Sequence, residues 1–143
     1  MERITLNIPE PPLFSTDLAV RITDLNYGQH VGHDTLMGLL QEVRVRWLNS
    51  HGLSEIDVGG CGLIMADTAI VFKNEVFHPA TLHCTLSVQA GKGAGFDVYY
   101  RIVREADGAL IAEAKTGMLC YDYDRKRPAR MPPALRSVLT GES

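Results

Sequence analysis

Apolar side chains at helical spacing predict one long helix in the first third of the chain. Leu36, Leu40, Val43 and Trp47 form a continuous stripe within residues 34–51, and further apolar residues widen that stripe. We therefore expect more than half of the helix circumference to be buried.

The residues at both ends of this segment suit helix termini. Asp34 or Thr35 can accept the unpaired N–H groups of the first turn, and Gly52 is placed to end the helix. Arg44 and its polar neighbours are expected to keep one side of the helix polar.

Alternation of apolar and polar residues predicts strands before and after the helix. Five are expected, near 15–23 and at 63–72, 81–90, 96–105 and 109–124. Residues 91–95 and 106–109 are predicted to form tight turns, and the second stretch is a strong hairpin signal. The tail after 124 is predicted to be irregular or a short helix. A helix followed by a run of strands indicates an α+β fold with an antiparallel sheet. Since one helix covers one face of a sheet, either the sheet wraps around the helix or a second subunit completes the cover.

Composition narrows the class of protein. The length, 143 residues, suits a single domain spanning 1–143, and 45% apolar with 22% charged residues is ordinary for a globular protein. A net charge of −3 gives no reason to expect a nucleic acid or an acidic membrane as partner. No apolar run approaches the length of a membrane span, and the start of the chain lacks a secretory signal, so we expect a cytoplasmic protein.

The three cysteines are widely spaced and form no CxxC pair, which argues against a zinc site or a disulfide framework. Cys84 and Cys120 lie on the apolar alternation of their strands. Both are expected to be buried small hydrophobic residues and not nucleophiles.

The stretch DLNYGQHVGHDTLMGLL (24–40) carries more ionisable and amide groups than helix capping needs. N–H groups at a helix start are unpaired and partly positive, so they can hold a developing oxyanion. Gly28 and Gly32 would let a ligand approach the backbone, and His30 can serve as acid, base or donor. On spacing alone, a capped helix with satisfied histidines is the modestly favoured alternative. His30 and His33 could be metal ligands, but the sequence has no further ligands at suitable spacing, so no metal is expected.

Asp67 interrupts an otherwise apolar strand. If its carboxylate points inward it needs a partner or a functional reason; if it points outward it is an ordinary charge at a sheet edge. The sequence leaves both orientations open.

The segment DLNYGQHVGHDTLMGLLQEVRVRWL resembles the helix-start motif of hotdog-fold acyl thioesterases, commonly D-x-D-x-x-x-H-V-N-N followed by a helix with E-x-R-x-x-W/F. Both the 4-hydroxybenzoyl-CoA and the acyl-carrier-protein (ACP) thioesterases carry such a stretch. The likeness extends from about position 16 to 133, where YDYDRKRPARMPP is similar to the D-x-x-x-x-R-P-x-x-x-P ending of relatives.

This resemblance implies a long central helix wrapped by an antiparallel sheet of about five strands. It also implies homodimers whose sheets join edge to edge, often paired into tetramers, with no cofactor. The thioester would lie between subunits, its carbonyl at the helix N-terminus, and a carboxylate in the preceding loop would act as base or nucleophile.

The chain departs from the family motif where that carboxylate is expected. Asn26 occupies the usual aspartate position, and Gly32 and His33 replace the paired asparagines, whereas His30 is kept. Because an amide cannot be a general base, Asn26 would orient water or bind the carbonyl, and the base would be His30, Asp34 or a residue such as Asp67.

Two hypotheses follow for the function. The first is a thioesterase for acyl-CoA or acyl-ACP, with water attacking a carbonyl held near the helix start. The second is a hotdog acyl-binding protein with little hydrolysis, which Asn26 favours; a hotdog dehydratase is a weaker third. The expected catalytic residues are Asn26, His30 and Asp34, and the expected substrate-binding residues are Tyr27, Gly28, Gly32, His33 and Asp67.

Overall fold

The computed structural model describes residues 1–91 and 93–141. A short 3₁₀ turn, Ile22–Asp24, precedes the long helix α1, His33–Asn49, and a short helix α2, Pro133–Leu139, lies in the tail. The strands are β1 Phe14–Ala19, β2 Gly62–Phe72, β3 Thr81–Ala90, β4 Gly95–Arg104, β5 Leu110–Asp122 and β6 Arg127–Pro128.

All strand pairs in the single described sheet are antiparallel, in the order β1-β3-β4-β5-β2, with the two-residue β6 beside β5. The five predicted strands are therefore confirmed, with shifted ends. The first strand stops at Ala19 and not at 23, because the Asp24 carboxylate accepts the Arg21 N–H (2.8 Å) and closes the 3₁₀ turn.

The core lies between α1 and one face of the sheet. Leu36, Leu40, Val43 and Trp47 are all buried, as the stripe predicts. Arg44, expected on the polar side, is instead buried and forms an ion pair with Glu55. The Arg44 guanidinium also donates to the Tyr100 hydroxyl (2.9 Å), whose oxygen lies 2.7 Å from that of Thr116.

The turns behave largely as predicted. Gly108 in the 106–109 turn has φ = 70° and donates to the Arg104 carbonyl (2.7 Å). In the 91–95 turn the Gly91 N–H bonds to the Gly95 carbonyl (3.0 Å), and position 92 lies outside the described residues.

The sequence predicts the C-terminal end of α1 correctly and its start incorrectly. Gly52, at φ = 73°, donates to the Asn49 carbonyl, and Leu53 donates to that of Leu48, which is the Schellman arrangement. The prediction that Asp34 or Thr35 caps the start is wrong. The cap position is Gly32, no side chain caps it, and Asp34 lies inside the first turn.

Cys84 and Cys120 are buried, as expected, and burial raises the pKa of each thiol to about 12. Among the described residues, no helix is long and apolar enough to cross a membrane.

Candidate active site

An ion pair between the buried Asp24 and the exposed Arg21 anchors the loop before α1. Asp24 is only 2% exposed, and its carboxylate accepts hydrogen bonds from the backbone N–H and the guanidinium of Arg21. The Arg21 guanidinium holds the pKa of the Asp24 carboxyl below its ordinary value. The Asp24 carbonyl accepts the Gly32 N–H (3.4 Å), so this ion pair fixes the chain on both sides of the loop.

Backbone hydrogen bonds fold the loop so that Asn26 and His30 lie side by side. The Asn26 N–H donates to the His30 carbonyl (2.7 Å), and Gln29, at φ = 67°, donates to the Asn26 carbonyl (3.0 Å). The Asn26 Oδ1 accepts the Gly28 N–H (2.9 Å), which leaves the Nδ2 group of that amide directed elsewhere.

Asn26 lies beside each of the other two predicted catalytic side chains, with a glycine at each of the two contacts. A Cβ atom at Gly28 would lie 3.1 Å from Nε2 of His30 and 3.4 Å from Oδ1 of Asn26. A Cβ atom at Gly32 would lie 2.7 Å from Oδ1 of Asp34 and 3.4 Å from Cβ of Asn26. The structure therefore brings Asn26, His30 and Asp34 together.

The first turn of α1 adds backbone donors to this group. The first intrahelical bond runs from the Leu36 N–H to the Gly32 carbonyl (3.0 Å). The N–H groups of His33, Asp34 and Thr35 precede that bond and have no side-chain cap.

A cavity of about 560 Å³ opens beside the helix start. His30, Gly32 and His33 line it on one side. Phe72 stacks near His33 with ring centroids 4.3 Å apart, and Phe77 meets His30 edge-on at 6.2 Å. The buried apolar part of the cavity lining consists of Val31, Leu36, Val76 and Ile111.

Several predicted site residues do not belong to the lining of this cavity: the substrate-binding candidates Tyr27, Gly28 and Asp67 and the catalytic candidates Asn26 and Asp34. Tyr27 is fully exposed and does not belong to the cavity lining. Asp67 points outward, which answers the question that the sequence left open. Its carboxylate accepts from the Lys115 ammonium (2.8 Å) and the Gly117 N–H (3.1 Å) on the sheet face opposite α1. The Lys115 ammonium keeps the pKa of the Asp67 carboxyl below its ordinary value.

The family model of the thioesterase-like superfamily matches residues 20–139. The chain belongs to this superfamily. Its fold is the hotdog fold, as the resemblance implies, and its class of activity is thioester hydrolysis.

Solved structures agree on the fold of this thioesterase. A 1,4-dihydroxy-2-naphthoyl-CoA thioesterase from Synechocystis superposes with a TM-score of 0.82 at 22% identity, covering 89% of this chain and 95% of that one. A DHNA-CoA thioesterase from Staphylococcus aureus gives 0.77 at 18% identity, covering 89% and 86%. A hypothetical protein from Thermus thermophilus gives 0.77 at 23% identity, covering 88% and 96%. The comparison with curated proteins gives no match.

Sequence reasoning missed more than half of the residues that line the thioesterase's cavity. Residues 73–77 come from the loop after β2. Phe72 ends β2, and Arg104 and Ile111 come from β4 and β5. The loop residues 73–77 show no motif or period in the sequence. The one available signal was the adjacent apolar pair Val76 and Phe77 within a polar loop. The Val76 carbonyl accepts the Val31 N–H (2.8 Å).

Proposed function

We propose that this thioesterase hydrolyses acyl-CoA or acyl-ACP thioesters in the cavity at the start of α1. The supporting observation is that Asn26 lies beside His30 at Gly28 and beside Asp34 at Gly32, next to N–H groups that no side chain caps. Such a site combines polar groups able to handle a proton with fixed donors for an oxyanion.

The backbone donors suit the thioester carbonyl. In the proposed reaction its oxygen accepts a hydrogen bond from the N–H of His33, where the partial positive charge of the helix start stabilises the oxyanion. Water attacks the carbonyl carbon, His30 takes a proton from that water, and the carbon–sulfur bond breaks. The products are a carboxylic acid and a thiol, which receives the proton.

Asn26 has a supporting role in this proposal. Because its Oδ1 already accepts the Gly28 N–H, its Nδ2 group is the one that can bind the water or the carbonyl. Asp34 is the other candidate base, since its carboxylate lies at Gly32 in the same group.

The apolar lining of the cavity suits the acyl group. Leu36, Val76 and Ile111 are buried, and Phe72 and Phe77 border the opening with part of each ring in solvent. Transfer of an acyl chain from water to these side chains favours binding. Tyr27, Gly28 and Asp67 stay predicted substrate contacts and lie outside this lining.

A second copy of the chain completes the proposed assembly. Strand β2 has 11 residues and pairs only with β5 among the described strands, so its other edge is free. A long free edge with exposed apolar side chains such as Met65 and Phe72 favours pairing with another strand. We therefore propose a homodimer in which the sheet continues across a two-fold axis, with pairing into tetramers as a further step.

The deciding experiment measures hydrolysis of a panel of acyl-CoA and acyl-ACP thioesters by the pure protein. His30→Ala should lower turnover about a hundredfold with little change in melting temperature. Asp34→Ala serves as the matched variant, because the Asp34 side chain does not cap the helix. If Asp34→Ala abolishes turnover while His30→Ala does not, then Asp34 is the base and the assignment is wrong.

A second candidate function is acyl binding with little hydrolysis, which Asn26 at the usual carboxylate position favours. Tight binding of acyl-CoA without turnover would support it. Asn26→Asp, which restores the family's carboxylate, should then create turnover, whereas in a working thioesterase it should keep or raise it.

A further inference from the structure

Residues 73–77 form one wall of the cavity and contribute five consecutive residues to its lining. The first part of this wall segment is fixed to β5. The N–H groups of Lys73 and Asn74 donate to the Ile111 carbonyl (2.8 and 3.2 Å), and the Asn74 amide donates to the Leu110 carbonyl (2.6 Å).

The second part of the wall segment contacts the loop before α1. The Val76 carbonyl accepts the Val31 N–H (2.8 Å), and the Phe77 ring meets His30 edge-on. Between these contacts and β5, the Glu75 carbonyl accepts a hydrogen bond from Nη1 of Arg104 (2.9 Å). The position of the helix-start loop thus depends on how firmly the wall is held at Glu75.

Asp107 fixes the direction of the Arg104 guanidinium. Its two carboxylate oxygens accept hydrogen bonds from Nε and Nη2 (3.0 and 2.9 Å), while Nη1 remains for Glu75. Asp107 is itself held in the hairpin turn, where Oδ1 accepts the Ala109 N–H (3.1 Å). A guanidinium bound in this bidentate way has little freedom to turn away from its third partner.

We infer that Asp107, which does not belong to the cavity lining, is a positioning residue: it aims Arg104 at Glu75 and so holds the cavity wall against the helix start. The catalytic part of this inference rests on the proposed function. The mechanical part concerns only hydrogen bonds within the chain, so it can be tested without any substrate.

The test compares Asp107→Asn with the wild type by hydrogen exchange and by kinetics. Removing the carboxylate should free Arg104, loosen the wall and speed exchange of the Val31 N–H about tenfold. For the thioester that the wild type hydrolyses best, KM should rise about tenfold while kcat changes much less, because the wall shapes the cavity but does not react. Asp107→Glu keeps the charge and should recover part of the lost affinity.

Glu10→Gln is the matched control, since it removes the carboxylate from another exposed arginine pair, Arg101–Glu10 (2.8 Å), and neither of these residues belongs to the cavity lining. It should change neither exchange at Val31 nor KM. Unchanged exchange in Asp107→Asn overturns the inference, as does faster exchange with unchanged KM. A wild type that hydrolyses no thioester refutes the proposed function instead, and faster exchange would still establish that Asp107 holds the wall.

Discussion

Gly32 illustrates how a single missing side chain shapes this site. Its backbone angles, φ = −73° and ψ = 157°, suit any residue, so glycine is not needed there for conformation. A Cβ atom would, however, lie 2.7 Å from the Asp34 carboxylate. We expect Gly32→Ala to displace that carboxylate and lower kcat/KM about tenfold or more. The melting temperature should change little.

Gly38→Ala is the control for this prediction. Gly38 lies within α1 and a Cβ atom there meets no atom within 4 Å, so alanine should stabilise the helix by about 0.5–1 kcal/mol and leave turnover unchanged. Full activity in Gly32→Ala would show that turnover does not depend on the position of the Asp34 carboxylate.

Single residues were predictable where their partners are close in sequence. Asn26, His30 and Asp34 lie within nine positions, and the glycines between them indicate a compact loop. Arg44 was misplaced because its partners are Glu55 and Tyr100, 11 and 56 positions away. Only the folded sheet brings these three together, and helical periodicity alone puts a charged residue outside.

The 3₁₀ turn before α1 should make stability depend on acidity. The pKa of the Asp24 carboxyl is lowered from its ordinary value of 3.8 by its bond to Arg21, so the folded state favours the charged form. The stabilisation that the Asp24 carboxylate gives the folded state is fully present above pH 3.8. It is lost as the pH falls through the lower, folded-state pKa. Unfolding by urea across the acid range should show this loss. In Asp24→Asn the loss should be smaller and stability at neutral pH lower; an unchanged acid profile would contradict this.

The end of α1 offers a second test at the level of elements. Gly52 has φ = 73°, and a Cβ atom there meets no atom within 4 Å. Gly52→Ala should therefore destabilise the fold by about 1–2 kcal/mol through backbone strain alone. Thermal unfolding measures this, and turnover of the folded variant should match the wild type. An unchanged melting temperature would mean that the helix end rearranges without loss.

Elements were predictable because their signals are periodic and local. The strands at 81–90 and 96–105 alternate clearly and appear almost as expected. The helix start was harder, because Asp34 is a common capping residue that lies two positions after the true cap, Gly32. The backbone turn that creates this offset depends on the buried Asp24 and on Val76 from a distant loop.

At the scale of the whole molecule, the order of strands decides which edge is exposed. The sequence predicts an antiparallel sheet, but the pairing of β2 with β5 and not with β3 depends on contacts between residues about 50 positions apart, such as Thr68 and Thr116. No local sequence pattern predicts such long-range residue pairs. The result leaves β2 at one edge and the shorter β1 at the other.

The free edge of β2 leads to a prediction about assembly. A chain of 15.8 kDa should behave in light scattering at micromolar concentration as a particle of about twice that mass, since a symmetric dimer is the commonest way to pair such edges. Met65, 40% exposed on β2, should lie at or near the joint. Met65→Lys places a like charge on each copy and should shift the protein towards monomer, with turnover falling in parallel if the site needs both copies.

Ile56→Lys is the matched control, because Ile56 is an exposed apolar residue outside the strands, and it should leave mass and turnover unchanged. A monomeric wild type would contradict the dimer, and a monomeric Met65→Lys with full turnover would show that one chain forms a complete site by itself.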